Sequence, residues 1–196
     1  ITLGKNFSGK VMLGPEATQE YIESLKTKGI TVDKMSRSAT FPEINQSLFT
    51  SASVYTPGTN IALSNGEKKY MRTTNLDKGM NVTGNGEFHL LVTGTFILKG
   101  NSSISTPGNQ AKVYVYYTGS SITFMGTPSF RGVIYAPGAD IECNGGGNGN
   151  FTGTIVCKSF DGPQSAASSM KKDPELQVKD LALINSRVYT RAKWSK

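Results

Sequence analysis

Histidine is almost missing from this chain. His89 is the only one in 196 residues, and cysteine occurs twice, at Cys143 and Cys157. A lone histidine inside a strand-like run gives no persuasive Ser-His-Asp arrangement. Two cysteines and one histidine cannot furnish a four-ligand zinc site, and no aspartate-rich calcium spacing occurs. The close carboxylates are Asp140 and Glu142, with Asp161 one coil further, and they read as a solvated surface. No catalytic residue, metal ligand, cofactor or small-molecule substrate is therefore expected. Charge is also scarce, at 18% of residues against 37% hydrophobic, a globular and turn-rich profile. No apolar run approaches the roughly 18–20 residues of a membrane helix. No basic segment followed by an apolar one marks a signal peptide. The chain opens at Ile1 rather than Met, and is read as a mature or trimmed piece.

What is present is a repeat. Phe130-Arg131-Gly132-Val133-Ile134 returns 21 residues later as Phe151-Thr152-Gly153-Thr154-Ile155. That offset is too long for a hairpin partner and suits one coil of a solenoid. Stacked coils bury a continuous apolar column that no single coil could bury alone. The fold class expected is all-β, a single-domain β-solenoid of parallel, stacked coils, with an N-terminal capping helix and a C-terminal helix or strand appendage.

Residues 1–40 read as the cap. Pro15 suits a first helical turn, Glu16 and Glu20 favour an N-terminus, and Gly29 stops the helix, so it spans about 15–28. Ala17, Tyr21, Ile22 and Leu25 give it one apolar stripe, expected to shield the open edge of the stack. Residues 41–162 form the solenoid. Its first part, to Lys78, reads as transitional and antiparallel or looped, with an Asn65-Gly66 turn signal. Regular coils begin near Phe88, with glycines at their corners; Gly145 to Asn150 is one such corner drawn out into a loop. It lacks the context of a phosphate loop. Residues 163–196 close the domain, with a short helix from Asp173-Pro174-Glu175 to about Leu183. A strand over Val188 to Trp194 follows, its tryptophan packed on the solenoid wall.

Three surface readings follow. Ile141 and Cys143 alternate with Asp140 and Glu142, which places the acids outside. Tyr114 and Tyr116 share a face opposite Val115; with Val115 in the core they form an exposed aromatic ladder for sugar or partner contact, or else support a neighbouring segment. The net charge of +7 concentrates in the flanks, where Arg187, Arg191, Lys193 and Lys196 meet no acid. They read as a solvated tail or as contacts to a polyanion such as DNA, acidic glycan or phospholipid headgroups. For Cys143 and Cys157, three states fit: a disulfide across neighbouring coils, two buried thiols, or unrelated roles. Stacking Phe130 on Phe151 places Cys157 over Ala136 rather than Cys143, so a bridge needs the glycine-rich loop to bring the two within about 7 Å.

The stretch from Phe130 through Tyr135-Ala136-Pro137-Gly138-Ala139 and Asn144-Gly145-Gly146, continued by Phe151-Thr152-Gly153-Thr154-Ile155-Val156-Cys157-Lys158-Ser159, resembles a bacterial surface family. It is similar to the β-solenoid domain carried C-terminally by prepilin-like proteins of the PilX type. The resemblance covers about 41–162 and is most specific over 130–159. Phe41-Pro42-Glu43-Ile44 and Trp194 sit where that family often has similar elements. Asp161-Gly162-Pro163-Gln164 departs from its pattern after the last coil, and its N-terminal apolar helix is not in these residues. The resemblance implies an extracellular, non-enzymatic domain of a minor pilin or pseudopilin, on a pilus or the bacterial cell surface. Its partners would be other pilin or pseudopilin subunits, and DNA or surface glycans. The alternatives are a stand-alone polysaccharide- or ice-binding solenoid and, further off, a glycan-active enzyme.

Overall fold

In a computed structural model of the chain, the described residues are 10–13, 15–29, 31–34, 41–144, 150–161, 169–171, 173–176 and 181–184. The glycine-rich corner at 145–149, the strand expected over 188–194, Trp194 and the basic tail lie outside them. The chain divides into two compact units, Thr2–Phe41 and a larger one from Pro42 onward.

In the smaller unit, strand β1 (Lys10–Leu13) pairs in parallel with β2 (Thr31–Lys34), and helix α1 (Gln19–Thr27) connects them. Thr18 caps the helix, its Oγ accepting the Tyr21 amide at 3.3 Å, so the helix starts there and not at Pro15. Ile22 and Leu25 are buried against Leu13, with Ala17, Tyr21 and Val32 around them. The stripe forms the small core of this unit.

The larger unit is a β-solenoid of about five turns, built from parallel pairs. Helix α2 (Ser47–Thr50) precedes β3 (Ser53–Val54), β4 (Ile61–Leu63), β5 (Lys68–Leu76) and β6 (Met80–Gly84). Then come β7 (Glu87–Gly100), β8 (Ser103–Ser105), β9 (Lys112–Tyr117), β10 (Ser121–Gly126), β11 (Ser129–Asn144), β12 (Asn150–Asp161) and β13 (Ser169–Lys171). The coils build three walls. The first runs Ser53–Met71–Leu90–Val115–Ile134–Ile155 in register. The second runs Leu76–Phe96–Ile122–Ile141–Phe160. The third runs Met80–Ile104–Phe130–Phe151–Met170.

The predicted stacking of Phe130 on Phe151 and of Ala136 on Cys157 is present. Parallel pairing begins earlier than the periodicity suggests, at Ser53 with Met71, and Asn65-Gly66 turns a coil corner rather than a hairpin. There Asn85 Nδ2 donates to Asn65 Oδ1 of the preceding coil at 2.8 Å. Inside, Phe88, Leu90, Phe96, Leu98, Val113, Val115, Phe124, Ile134 and Ile141 form one core. Phe124 meets Phe96 and Phe151 edge to face, at centroid distances of 5.9 and 5.1 Å, the favoured geometry for ring quadrupoles. The glycine of the repeat is explained by contact between coils. A side chain on Gly153 (φ +132°) would run into the Gly132 carbonyl.

Candidate functional site

The outer face of the first wall carries the densest chemistry. Tyr70, His89 and Tyr114 are register partners on β5, β7 and β9. Their rings stack nearly parallel, His89 lying 4.6 Å from Tyr70 and 4.7 Å from Tyr114. The strand rise places charges two residues earlier on the same face, where Lys68, Glu87 and Lys112 are aligned. Lys68 Nζ pairs with Glu87 Oε2 at 2.9 Å, and His89 Nε2 lies 3.5 Å from the same oxygen. Burial alone would raise the Glu87 carboxyl, but the Lys68 ammonium and His89 outweigh it and hold the carboxyl below its ordinary value.

His89 Nδ1 lies 2.9 Å from the Tyr116 hydroxyl, which accepts the Ala182 amide at 2.8 Å. Because a backbone amide can only donate, the Tyr116 oxygen accepts there and its own O–H donates to the imidazole, which accepts at Nδ1. Burial pushes the Tyr116 hydroxyl well above its usual range. The ring of Phe49 covers this group from outside, 5.6 Å from Tyr70 and 5.5 Å from Tyr116.

This face is therefore covered, and the expectation of an exposed Tyr114–Tyr116 ladder is corrected. Val115 does point into the core and the two tyrosines do share the opposite face, but both are 0% exposed. Residues 42–50, with α2, bury them together with residues 173–176 and 181–184. Asn45 donates to the Ala182 carbonyl at 3.0 Å and Ile184 to the Glu43 carbonyl at 2.8 Å, an antiparallel bridge centred on Ile44 and Leu183. Tyr135 donates to the Pro42 carbonyl at 2.6 Å. Leu183 is extended here, and the helix expected from Asp173 begins instead as a turn, with Asp173 Oδ1 accepting the Glu175 amide at 2.9 Å. Asp173 Oδ2 meets Arg131 Nη2 at 2.6 Å, while Arg131 Nη1 donates to Thr106 Oγ1 and the Ala111 carbonyl. The sole charge of the Phe-x-Gly-x-Ile repeats thus fastens the C-terminal segment.

The carboxylates on the second wall face outward as expected. Asp140 accepts from Ser159 Oγ at 2.6 Å and pairs with Lys158 at 3.0 Å, and these two partners lower its carboxyl. Glu142 lies in register with Asp161 of the next coil. Among the described residues no group of three His, Cys, Asp or Glu side chains could hold a metal ion. No helix among them is long and apolar enough to cross a membrane.

Cys143 and Cys157 are separate, half-buried free thiols, which corrects the disulfide option. They occupy different walls, Cys143 in register with Phe124 and Cys157 with Ala136. Burial pushes Cys143 up to about 12, with the Asp161 charge adding to it, and raises Cys157 as well. Arg187, Arg191, Lys193 and Lys196 lie outside the described residues.

The fold and its walls define a solenoid scaffold of parallel coils. Residues 71–178 match the model of a domain of unknown function, DUF7305, and the chain belongs to that family. The matched span contains both Arg131 and Asp173. Comparison with curated proteins and with solved structures finds no match.

Proposed function

We propose that this chain is a non-enzymatic structural or adhesive domain of a type IV pilus-associated, minor-pilin-like protein, displayed on a filament or bacterial cell surface. The observation that carries the reading is the in-register stacking of Phe130 to Ala136 on Phe151 to Cys157. That is the stretch whose sequence resembles the PilX-type solenoid, and it makes a rigid wall suited to presentation. The chemistry of the walls fits a passive role. The single histidine is buried and engaged with Tyr116, and Asp140 is held by Lys158 and Ser159.

Contact with pilin subunits or surface glycans then falls to the second and third walls, since the first is covered. Shearing filaments from cells that make the full-length protein tests this. The protein should co-sediment with the filaments, and recovery only in the soluble cell extract would refute it. DNA binding, assigned to Arg187, Arg191, Lys193 and Lys196, should be weak and salt-sensitive and should vanish on deletion of residues 185–196.

One observation favours a second reading, a stand-alone polysaccharide or ice binder. On the third wall the small polar residues Asn60, Asn81 and Ser105 follow one another coil by coil, Asn60 Oδ1 accepting the Asn81 amide at 3.3 Å. Binding on a glycan array without filament association would favour it.

A further inference from the structure

The tripeptide Asn-x-Ser/Thr, with x other than proline, is the acceptor signal for N-linked glycans. Among the described residues it occurs at Asn45-Gln46-Ser47, Asn81-Val82-Thr83, Asn101-Ser102-Ser103 and Asn150-Phe151-Thr152. Composition does not rank these sites, but the fold does.

Asn81 and Asn150 lie in β6 and β12, at points where each strand is paired on both sides. An extended strand holds residues two apart at about 6.6 Å. The Thr83 hydroxyl turns instead to the Ile61 carbonyl of the preceding coil, at 3.4 Å. The carboxamide oxygens of Asn81 and Asn101 are taken by the following coil, accepting from Ser105 Oγ and Thr127 Oγ1. A transferase that grips asparagine and hydroxyl together must break contacts between coils at all three.

Asn45 is built differently. It stands just before α2, and the Ser47 hydroxyl donates to Asn45 Oδ1 at 2.6 Å. Two backbone bonds close the turn that brings them together. The Gln46 amide donates to the Ile44 carbonyl at 2.8 Å, and the Leu48 amide to the Asn45 carbonyl at 3.3 Å. Acceptor and hydroxyl therefore meet in the folded chain, outside the ladder between coils. Asn45 is half-buried, while Gln46, Ser47 and Leu48 are exposed. Leu48 lies one turn on from Asn45, an apolar neighbour that the first sugar ring can cover.

We propose that Asn45 is an N-glycosylation site, modified by a membrane oligosaccharyltransferase from a lipid-phosphate-linked sugar. Asn45 Nδ2 forms a bond to C1 of the sugar as the bond from C1 to the lipid phosphate oxygen breaks. The electron pair leaves with the phosphate, and one carboxamide proton passes to a base of the transferase. The modification requires the surface display proposed above, since such transfer takes place on the outer side of the membrane.

Mass spectrometry of peptides from the full-length protein, isolated from the cells that naturally make it, tests this. The peptide carrying Asn45 should bear a glycan mass, while Asn81, Asn101 and Asn150 stay bare. Ser47→Ala should abolish the modification, Ser47→Thr should keep it, and Gln46→Ala should leave it unchanged. Bare Asn45 on protein recovered with filaments would overturn the glycosylation site and leave the filament reading standing. Glycosylated Asn45 on protein absent from filaments would support the site and refute the filament reading. A glycan that survives Ser47→Ala would also overturn it, since the hydroxyl would then play no part.

Discussion

The inner and outer faces of the first wall belong to the same strands and are both buried, yet they are built on different rules. Inside, Leu90, Val115 and Ile134 repeat one apolar requirement coil after coil. Outside, Tyr70, His89, Tyr114, Tyr116 and Tyr135 combine ring stacking with hydroxyl and carboxylate contacts, and each polar atom needs a particular partner. The inner face tolerates change in chemistry but not in shape. The outer face depends on single bonds to distant parts of the chain, 66 residues away for Tyr116 and Ala182. Burial on both faces is the normal state of a parallel sheet.

The comparison can be broken most forcefully from inside. Phe124→Ala removes a ring that packs edge to face between Phe96 and Phe151 and should destabilise the solenoid by about 3–5 kcal/mol in denaturant unfolding. A loss below about 1 kcal/mol would mean that the inner column is loosely packed. Gly153→Ala should come next, at about 2–3 kcal/mol, since the backbone there resists a side chain and the Gly132 carbonyl blocks it. Gly138→Ala is the control. Its added methyl would meet nothing within 4 Å, and stability should stay within about 0.5 kcal/mol.

On the outer face, Tyr116→Phe keeps the ring but strips the Ala182 amide and His89 of their shared partner. A cost of about 1–2 kcal/mol is expected, with faster proteolysis near residue 182. The smallest effect concerns pH. The Cys143 and Cys157 thiols have folded-state pKa values above their ordinary 9.0, so the fold favours their protonated form. For Cys143 that contribution is complete below about pH 9 and is lost as pH rises toward about 12. Chemical unfolding at stepped alkaline pH should show this decline, and Cys143→Ser with Cys157→Ser should flatten it.

Much of the inner face was readable in the residues, and little of the outer. The Phe130 and Phe151 repeats reveal the stack because their coils differ by 21 residues and carry the same glycine. Other steps on the same wall vary: Ser53 to Met71 is 18 residues, Met71 to Leu90 is 19 and Leu90 to Val115 is 25. A period that drifts in this way hides the early coils, so residues up to Lys78 read as transitional when they are already parallel. Alternation puts Tyr114 and Tyr116 on the correct face but leaves open whether that face meets solvent or a neighbouring segment, because it reports which side a residue faces and not what lies beyond it. The covering segments lack periodicity of their own. One signal was present: Lys68-Lys69-Tyr70, Glu87-Phe88-His89 and Lys112-Val113-Tyr114 each place a charge two residues before an aromatic ring. Aligning those triplets gives both the charge ladder and the ring stack. The Arg131–Asp173 pair had no local mark, since its partners are joined only by the fold.

The claim that the aromatic wall is an internal face, and not a contact surface, is the one most directly open to measurement. Hydroxyl-radical footprinting of the folded full chain, read residue by residue by mass spectrometry, compares Tyr114, Tyr116 and Tyr135 with exposed Met125. The account predicts strong protection of all three tyrosines and ready oxidation of Met125, which is 40% exposed. Oxidation of Tyr114 and Tyr116 at rates typical of exposed tyrosine would contradict it.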